Sequence, residues 1–483
     1  MNRVLRNLYN FYAPLRISRS LTYMAQATEY QSFPFLRWLW QIQDFSAVMQ
    51  RRSLEPTRAA RLLRLGLLSG MFSQIILAFS LIYVSQNTPY DEIRWYGLAL
   101  LVSYPIVWAH MLALFLALGR IIITEPRENR QAIQAAELFQ KHPGNRIAIA
   151  GSYGKTSMKE LLQTVLSEGL AVAATPANMN VVSSHLLFAQ TLTGKEDVVL
   201  VEFGEGKPGD VAQFSAMVRP TQAVITGLAP AHLDQYKTLQ AAGKDIFSLS
   251  RYVSPDNMYV NAESDAMLGF IKPKYQTYSR SNVLGWRVDK ARTGLDGTSF
   301  ELVKEKKHLK FHSGLVGLHQ VGPLAFAAAF GLTCGLSEKE VKTGVGKTTP
   351  FEHRMQPYKL SGAWVIDDTY NGNLEGIRAG TELLAGLKAK RKMYITPGLV
   401  DQGKETADIH RQVGRLIAAA QPDVVVLMRN SVTADIQAGL DDTDYKGELL
   451  VQDNPLEFYT NLSNFVATGD VVLMQNDWTD NYH

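Results

Sequence analysis

Two long apolar runs fill the chain between residues 65 and 124, and from about residue 145 short apolar runs alternate with amphipathic stretches of helical period. The first run, Leu65–Val84 (LGLLSGMFSQIILAFSLIYV), has no charge; the second, Trp95–Thr124, has only His110 and Arg120 as ionisable groups. A bilayer-spanning helix takes about 20 such residues. The polar SQNTPYDEIR between them predicts a tight hairpin. Arg51, Arg52, Arg58, Arg61 and Arg64 precede the first run, and Arg120, Arg127 and Arg130 follow the second. The positive-inside rule then puts both ends of the hairpin, and everything after it, on the cytoplasmic side. The expected location is a two-pass position in the cell membrane. A helical hairpin buried in a soluble domain competes, but would demand an unusually large core. A cleavable signal peptide is not expected, because the first apolar run starts too far in. His110, beside Pro105 in the second run, is expected to take a partner from a neighbouring helix.

The same pattern divides the chain into five parts. Residues 1–59 form a basic-aromatic arm (FPFLRWLWQIQDF), either an interfacial helix or a segment packed on the hairpin. Residues 60–124 are the hairpin and 125–144 a connecting helix ending at Pro143–Gly144. Residues 145–349 alternate strands and helices, the pattern of a largely parallel sheet, with a β-rich stretch in which Asp296–Gly297 signals a hairpin. Residues 350–483 return to βα alternation (WVIDDTY, KMYITPG, DVVVLMR, DVVLMQ) and read as a small Rossmann-like domain. The fold class is therefore α/β, a phosphate-loop domain followed by a Rossmann-like one, behind two transmembrane helices.

Composition narrows the chemistry. A chain of 483 residues, 46% hydrophobic and 19% charged, is globular and has room for two or three domains. The single Cys334 excludes an internal disulfide and any multi-cysteine metal site. A net charge of +4, much of it beside the apolar runs, gives no reason to expect nucleic acid as a partner.

Gly-Lys-Thr occurs twice, at 154–156 and 346–348. A phosphate loop needs an apolar strand, a glycine turn that aims N–H groups inward, and a helix that begins at once; its Lys reaches the β/γ-phosphates and its Thr the Mg²⁺. RIAIA-GSYGKT-SMKELLQTVL supplies all three. Gly151, Ser152, Tyr153, Gly154, Lys155, Thr156 and Ser157 are thus the expected ATP loop, although Ile149 replaces the leading glycine of the full motif. The second copy follows a helical pattern, LSEKEVKTGVG, and Pro350 comes directly after Thr349. Proline disfavours helix at the preceding residue, so 344–350 is expected to be a linker.

The shorter form Gly-x-x-Gly-Lys-Thr-Ser resembles that of the Mur ligases, which make amide bonds in peptidoglycan precursors, and the resemblance extends in order along the chain. TPANMN (175–180) is similar to a family segment with Gly where Ala177 stands, and implies substrate contacts at Asn178 and Asn180. VVLVEFGEGKPGD implies a magnesium ligand at Glu202, and AVITGLAPAHLDQY another at His232. LVGLHQVGPLAFAAAFGL resembles the end of the central domain, with Pro323 in place of Asn. HRMQPYKLSGAWVIDDTYNGNLEG implies Arg354 on ATP phosphate, Asp368 on ribose, and Tyr370, Asn371 and Asn373 near substrate. Its Asp-Asp-x-Tyr-Asn-x-Asn run resembles the D-alanyl-D-alanine-adding branch, with Leu374 where that branch has Pro, and ITPGLVDQGKETADIHRQVG matches the same branch. Many members also carry a carbamylated lysine after the metal histidine. Ile246 occupies the ungapped position here, so Lys244 is the candidate metal residue. His319 and His410 are expected to be structural.

The resemblance implies an ATP- and Mg²⁺-dependent acid–amino-acid ligase working through an acyl phosphate, with Lys155, His232 and Arg354 as catalytic groups and Thr156, Glu202 and His232 at the metal. Its partners would be a peptidoglycan-precursor-like carboxylate donor, an amino acid or dipeptide amine, the membrane, and cell-wall enzymes. The hairpin stands where the family's uridine-diphosphate-binding domain normally lies, which leaves a lipid-linked donor open. A polyglutamate-type membrane ligase and a non-catalytic nucleotide-binding scaffold are the competing expectations.

Overall fold

The structure, a computed structural model, describes residues 3–42, 45, 54–177, 179–229, 233–370, 372–400 and 402–476. Arg51, Arg52, Asn178, His232 and Asn371 lie outside the described residues. The chain forms two compact units, Met1–Arg130 and Gln131–His483.

In the first unit α1 (Arg3–Tyr12), α2 (Pro14–Ala27) and α3 (Ser32–Gln41) precede a hairpin of α4 (Arg58–Gln86) and α5 (Ile93–Gly119). The Thr57 hydroxyl accepts from the Ala60 amide at 3.2 Å and starts α4. Small residues let the two long helices meet. A side chain at Gly70 would stand 2.0 Å from the Trp108 ring, and one at Gly97 2.7 Å from the Ala78 carbonyl. Between them the Trp108 indole donates to Gln74 Oε1 at 2.9 Å, and Gln74 Nε2 to the Leu100 carbonyl at 3.0 Å. The arm packs on the hairpin: Ile17, Leu21 and Phe35 share a core with Leu67, Met71 and Tyr104. His110 finds its partners as its surroundings suggest, with Nδ1 2.8 Å from the Ile106 carbonyl and Nε2 accepting from the Trp40 indole at 3.2 Å.

Both long helices have the length and composition to cross a membrane, and only 17% and 22% of their most apolar windows are buried within the protein. The second does not end at Thr124. A π-helical turn, Arg120–Thr124, joins α5 to α6 (Glu125–Lys141), giving a continuous helix Ile93–Lys141. Pro126 has no N–H to give the preceding turn, and the altered register of the π turn accommodates it. The sequence pattern placed a boundary here because polarity changes at Glu125; helical propensity does not.

The second unit is built on two sheets. The first has ten strands: β1 (Asn145–Ala150), β2 (Val172–Ala174), β3 (Val198–Glu202), β4 (Gln222–Ile225), β5 (Met258–Asn261), β6 (Gln276–Tyr278), β7 (Asn282–Val283), β8 (Trp286–Gly294), β9 (Gly297–Lys304) and β10 (Lys307–Ser313). Their order is β10-β9-β8-β7-β6-β5-β4-β1-β3-β2. The half from β2 to β6 is parallel and the half from β6 to β10 antiparallel, so the sheet is mixed where the sequence predicted mostly parallel strands. The predicted hairpin is the β8–β9 turn, closed by the Gly294–Gly297 pair.

The central strands are apolar throughout, as strands covered on both faces must be; all five residues of VVLVE in β3 are buried. The covering helices are α7 (Lys155–Leu166), α8 (Val182–Thr191), α9 (Asp210–Val218), α10 (Leu233–Tyr236), α11 (Leu239–Ile246), α12 (Val321–Thr333) and α13 (Glu338–Gly346). Helix α12 (VGPLAFAAAFGLT) is buried on nearly every face and packs against α7 and the β-rich half.

The second sheet runs β11 (Gln356–Leu360), β12 (Ala363–Asp368), β16 (Asp470–Gln475), β13 (Arg391–Thr396), β14 (Val424–Met428), β15 (Glu448–Gln452) in space. Only the edge strand β11 is antiparallel. Helices α14 (Leu374–Gly386), α15 (Thr406–Ala419) and α16 (Thr433–Asp441) pack on it in the Rossmann-like arrangement the sequence predicted. An Arg280 guanidinium joins the two lobes, bonding Glu263 on its own side and Glu382 of α14 at 3.0 Å.

Candidate active site

The turn from β1 into α7 holds the expected ATP loop. Gly151 has φ +140° and Gly154 φ +75°, conformations that side chains disfavour. A Cβ on Gly151 would also stand 2.4 Å from Thr226 Oγ1. The Ser152 amide donates to the Gly227 carbonyl at 2.8 Å, and the Thr226 hydroxyl donates to the Tyr153 carbonyl, so the end of β4 fixes the loop from beside it. The Tyr153 ring lies over Gly227, where any side chain would collide with it, and burial pushes its phenol up to about 12. Lys155, Thr156 and Ser157 form the first turn of α7, whose leading N–H groups lack helical partners and therefore favour an anion.

The side chains of Lys155 and Thr156 both sit on acids. Lys155 Nζ is 2.6 Å from Glu205 Oε2 and also donates to the Gly151 carbonyl at 2.6 Å. The Thr156 hydroxyl donates to Glu202 Oε1 at 3.0 Å. Glu202 ends β3 almost fully buried, and its carbonyl accepts from His185 Nε2 at 2.9 Å. A threonine hydroxyl and a carboxylate are hard oxygen donors of the kind Mg²⁺ takes, beside a helix N-terminus suited to phosphate. The residues present therefore fit a Mg²⁺–nucleotide pair. Lys244 sits exposed on α11 and makes no hydrogen bond to Thr156 or Glu202. His232, the other expected ligand, lies outside the described residues. Among the described residues no three His, Cys, Asp or Glu groups converge.

The C-terminal lobe contributes an ordered turn. His353 and Met355, flanking Arg354, have φ of +59° and +47°. Two acids at the end of β12 hold this turn. His353 Nδ1 is 2.7 Å from Asp367 Oδ2, and the Met355 amide donates to Asp368 Oδ1 at 3.1 Å. Arg354 lies over the Tyr370 ring, 4.3 Å from its centroid. Burial pushes the Asp368 carboxyl up to about 7, against the pull of Gln475, the Met355 amide and Arg354. Asn373 caps α14, its Oδ1 accepting from the Gly376 amide at 2.9 Å. Asn180 stands close to Gly204, where a side chain would come within 2.6 Å of its carbonyl.

The second Gly-Lys-Thr is not a phosphate loop. Gly346 ends α13, Lys347 Nζ pairs with Glu168 at 2.6 Å, and the Thr348 hydroxyl is buried 2.6 Å from both Ser313 Oγ and the Val345 carbonyl. Instead of the linker the sequence predicted at 344–350, its first half completes a helix. His410 is structural, bonded at Nδ1 to the Thr406 carbonyl and at Nε2 to the Leu399 amide. Two residues of the loop's surroundings escaped sequence reasoning, Glu205 and Lys159. The first lies inside a motif read only for its Glu202. The second is Lys at i+4 from Lys155, a spacing that puts both on neighbouring turns of one helix.

Residues 149–331 match the Mur ligase middle domain. The UDP-N-acetylmuramoyl-tripeptide–D-alanyl-D-alanine ligase of Mycobacterium leprae is 28% identical over 362 residues, 68% of this chain and 70% of that protein. The enzyme of the same name from Escherichia coli is 27% identical over 309 residues, 60% of this chain and 66% of that one. That from Mycobacterium tuberculosis is 28% identical over 282 residues, 56% and 55% of the two chains. The chain thus spans between about half and about two thirds of these relatives. Among solved structures, MurF from Acinetobacter baumannii superposes with a TM-score of 0.64 at 20% identity, covering 72% of this chain and 77% of that one. MurF from Thermotoga maritima in complex with ADP gives 0.62 at 19%, covering 72% and 80%. At such identities the structural likeness establishes the fold.

Proposed function

Since residues 149–331 match the Mur ligase middle domain, we propose that this chain is a membrane-anchored, ATP-dependent ligase that joins a carboxylate to an amine, releasing ADP and phosphate. The carrying observation is the pairing at the start of α7: Lys155 on Glu205 and Thr156 on Glu202, two acids against a glycine turn that opens a helix. In this reading the α7 N-terminus and Lys155 hold the nucleotide phosphates, while Arg354 and Asp368 meet the nucleotide from the other lobe. Thr156 and Glu202, with His232, would hold Mg²⁺, whose chemistry there would be to neutralise phosphate oxygens. The donor carboxylate attacks the γ-phosphoryl group and ADP leaves. The amine then attacks the acyl carbon, phosphate leaves, and the amine proton passes to solvent or a neighbouring base.

Similarity to D-alanyl-D-alanine ligases of the MurF type favours that dipeptide as the amine and a peptidoglycan precursor as the donor. Anchoring rests on the two long apolar helices, whose outward faces carry Ile76, Phe79, Val102 and Ile106 to the surface. A lipid-linked donor suits an anchored enzyme, and the donor is found by experiment. The full chain, in detergent with Mg·ATP, is offered UDP-linked and lipid-linked muramoyl tripeptides with and without D-alanyl-D-alanine. A product heavier by the dipeptide less water identifies the donor. ATP binding with no product from any pair contradicts this choice of substrates.

A further inference from the structure

Lys159 is fully buried, with 0% of its surface exposed, and is no part of the Lys155–Glu205 pair one turn earlier. A lysine so enclosed must be neutralised and hydrogen-bonded. Its ammonium meets both needs: it lies 3.2 Å from Glu202 Oε2, donates to the Ala177 carbonyl, and stands 3.5 Å from Glu160 Oε1. Glu202 is thereby divided between two neighbours on α7, with Oε1 facing Thr156 and Oε2 facing Lys159.

Ala177 is the other end of this contact, and it is under strain. Its φ is +40°, in the left-handed region that costs an alanine and suits a glycine. Around it the 175–180 segment is attached to the β3 end at two more points. The Glu202 amide donates to Thr175 Oγ1 at 3.1 Å, and Asn180 lies against Gly204. Those two contacts fix the ends of the segment. Among the described residues, Lys159 alone hydrogen-bonds both Ala177 in the turn between them and the Glu202 carboxylate.

We propose that Lys159 is a positioning residue that ties the strained turn at Ala177 to the carboxylate of Glu202, setting the donor side of the site against the metal side. The tie itself is a property of the fold; its effect on the donor rests on the ligase reading above. A lysine serving only to fill the core would, when replaced, loosen α7 and its sheet together. A tie loosens the turn.

The experiment is hydrogen exchange on the full chain in detergent, comparing wild type with Lys159→Met. Amides of Ala177, Met179 and Asn180 are expected to exchange about tenfold faster or more in the variant, as for the loss of a buried hydrogen bond to a charged donor, with β1 amides unchanged. With the donor established, its KM rises about tenfold while the KM for ATP stays within about twofold. Lys159→Gln, which keeps a donor for the Ala177 carbonyl but not the charge, shows the same pattern to a smaller degree and serves if the Met variant does not fold. In the Ala177→Gly background the effect of Lys159→Met on exchange shrinks, because the turn no longer needs holding. Unchanged exchange at 177–180 in a folded variant, or an equal rise across β1 and α7, overturns the proposal. Faster exchange in a protein that ligates nothing leaves the tie standing and defeats the ligase reading; ligation with an unmoved donor KM leaves the ligase reading standing and overturns the positioning role of Lys159.

Discussion

The same three residues, Gly-Lys-Thr, occur at 154–156 and at 346–348, and the structure puts them to opposite uses. At the first, a buried strand ends, glycine takes φ +75°, and a helix begins, so the lysine and threonine turn toward acids beside a helix N-terminus. At the second, a helix ends. The lysine lies across the surface to Glu168, and the threonine hydroxyl is spent inside the protein on Ser313 and the Val345 carbonyl. What decides is the order of elements. A helix N-terminus presents unpartnered N–H groups and favours anions, whereas a C-terminus presents carbonyls and repels them.

Substitutions at matched positions test this contrast. The largest effect is expected at the first lysine: Lys155→Ala lowers ADP release per folded molecule by at least about 10²–10³-fold, the usual cost of removing a preorganised charge contact to a reacting group. The threonines should separate into function and stability. Thr348→Val removes one of two partners of the buried Ser313 hydroxyl, which keeps the Leu315 amide, and costs about 1–3 kcal/mol in denaturant unfolding, with turnover per folded molecule unchanged. Thr156→Val differs in lowering turnover per folded molecule and the response to Mg²⁺, beyond what its lost bond to the buried Glu202 carboxylate costs in unfolding.

A smaller effect concerns pH in the C-terminal lobe. The folded Asp368 carboxyl titrates near 7, above its unfolded value, so between about pH 4 and 7 the folded state binds the extra proton. That contribution to stability is full below about pH 4 and is lost as pH rises through about 7. Wild type should therefore lose on the order of 3 °C in melting temperature from pH 5 to pH 8 relative to Asp368→Asn. Equal pH slopes in the two proteins contradict the assignment. The smallest effect is at the second lysine. Lys347→Ala breaks a half-exposed ion pair and should cost no more than about 1 kcal/mol.

The contrast between the two copies was legible in the sequence because it depends on neighbours along the chain: RIAIA before one, Pro350 after the other. So were the central strands, whose continuous apolar runs mark strands covered on both faces. Edge strands were not. β11 (QPYKL) and β15 (ELLVQ) are short and partly polar, and exist because β12 and β14 offer them unpaired backbone. The packing of the arm on the hairpin was also hidden, since an aromatic-basic helix has the same pattern on a membrane as on a protein. Lys159 escaped for a third reason. Its value comes from Ala177 and Glu202, 18 and 43 residues away, which meet it only when β3 lies beside β1.

The central claim is that the loop at 151–157 drives amide ligation and the later Gly-Lys-Thr does not. Amine-dependent ADP release by the full chain, measured side by side for wild type, Lys155→Ala and Lys347→Ala, tests it most directly. The account predicts release that requires both carboxylate donor and amine, is lost in Lys155→Ala and is kept in Lys347→Ala. Release that ignores the amine, or that survives Lys155→Ala, would contradict it.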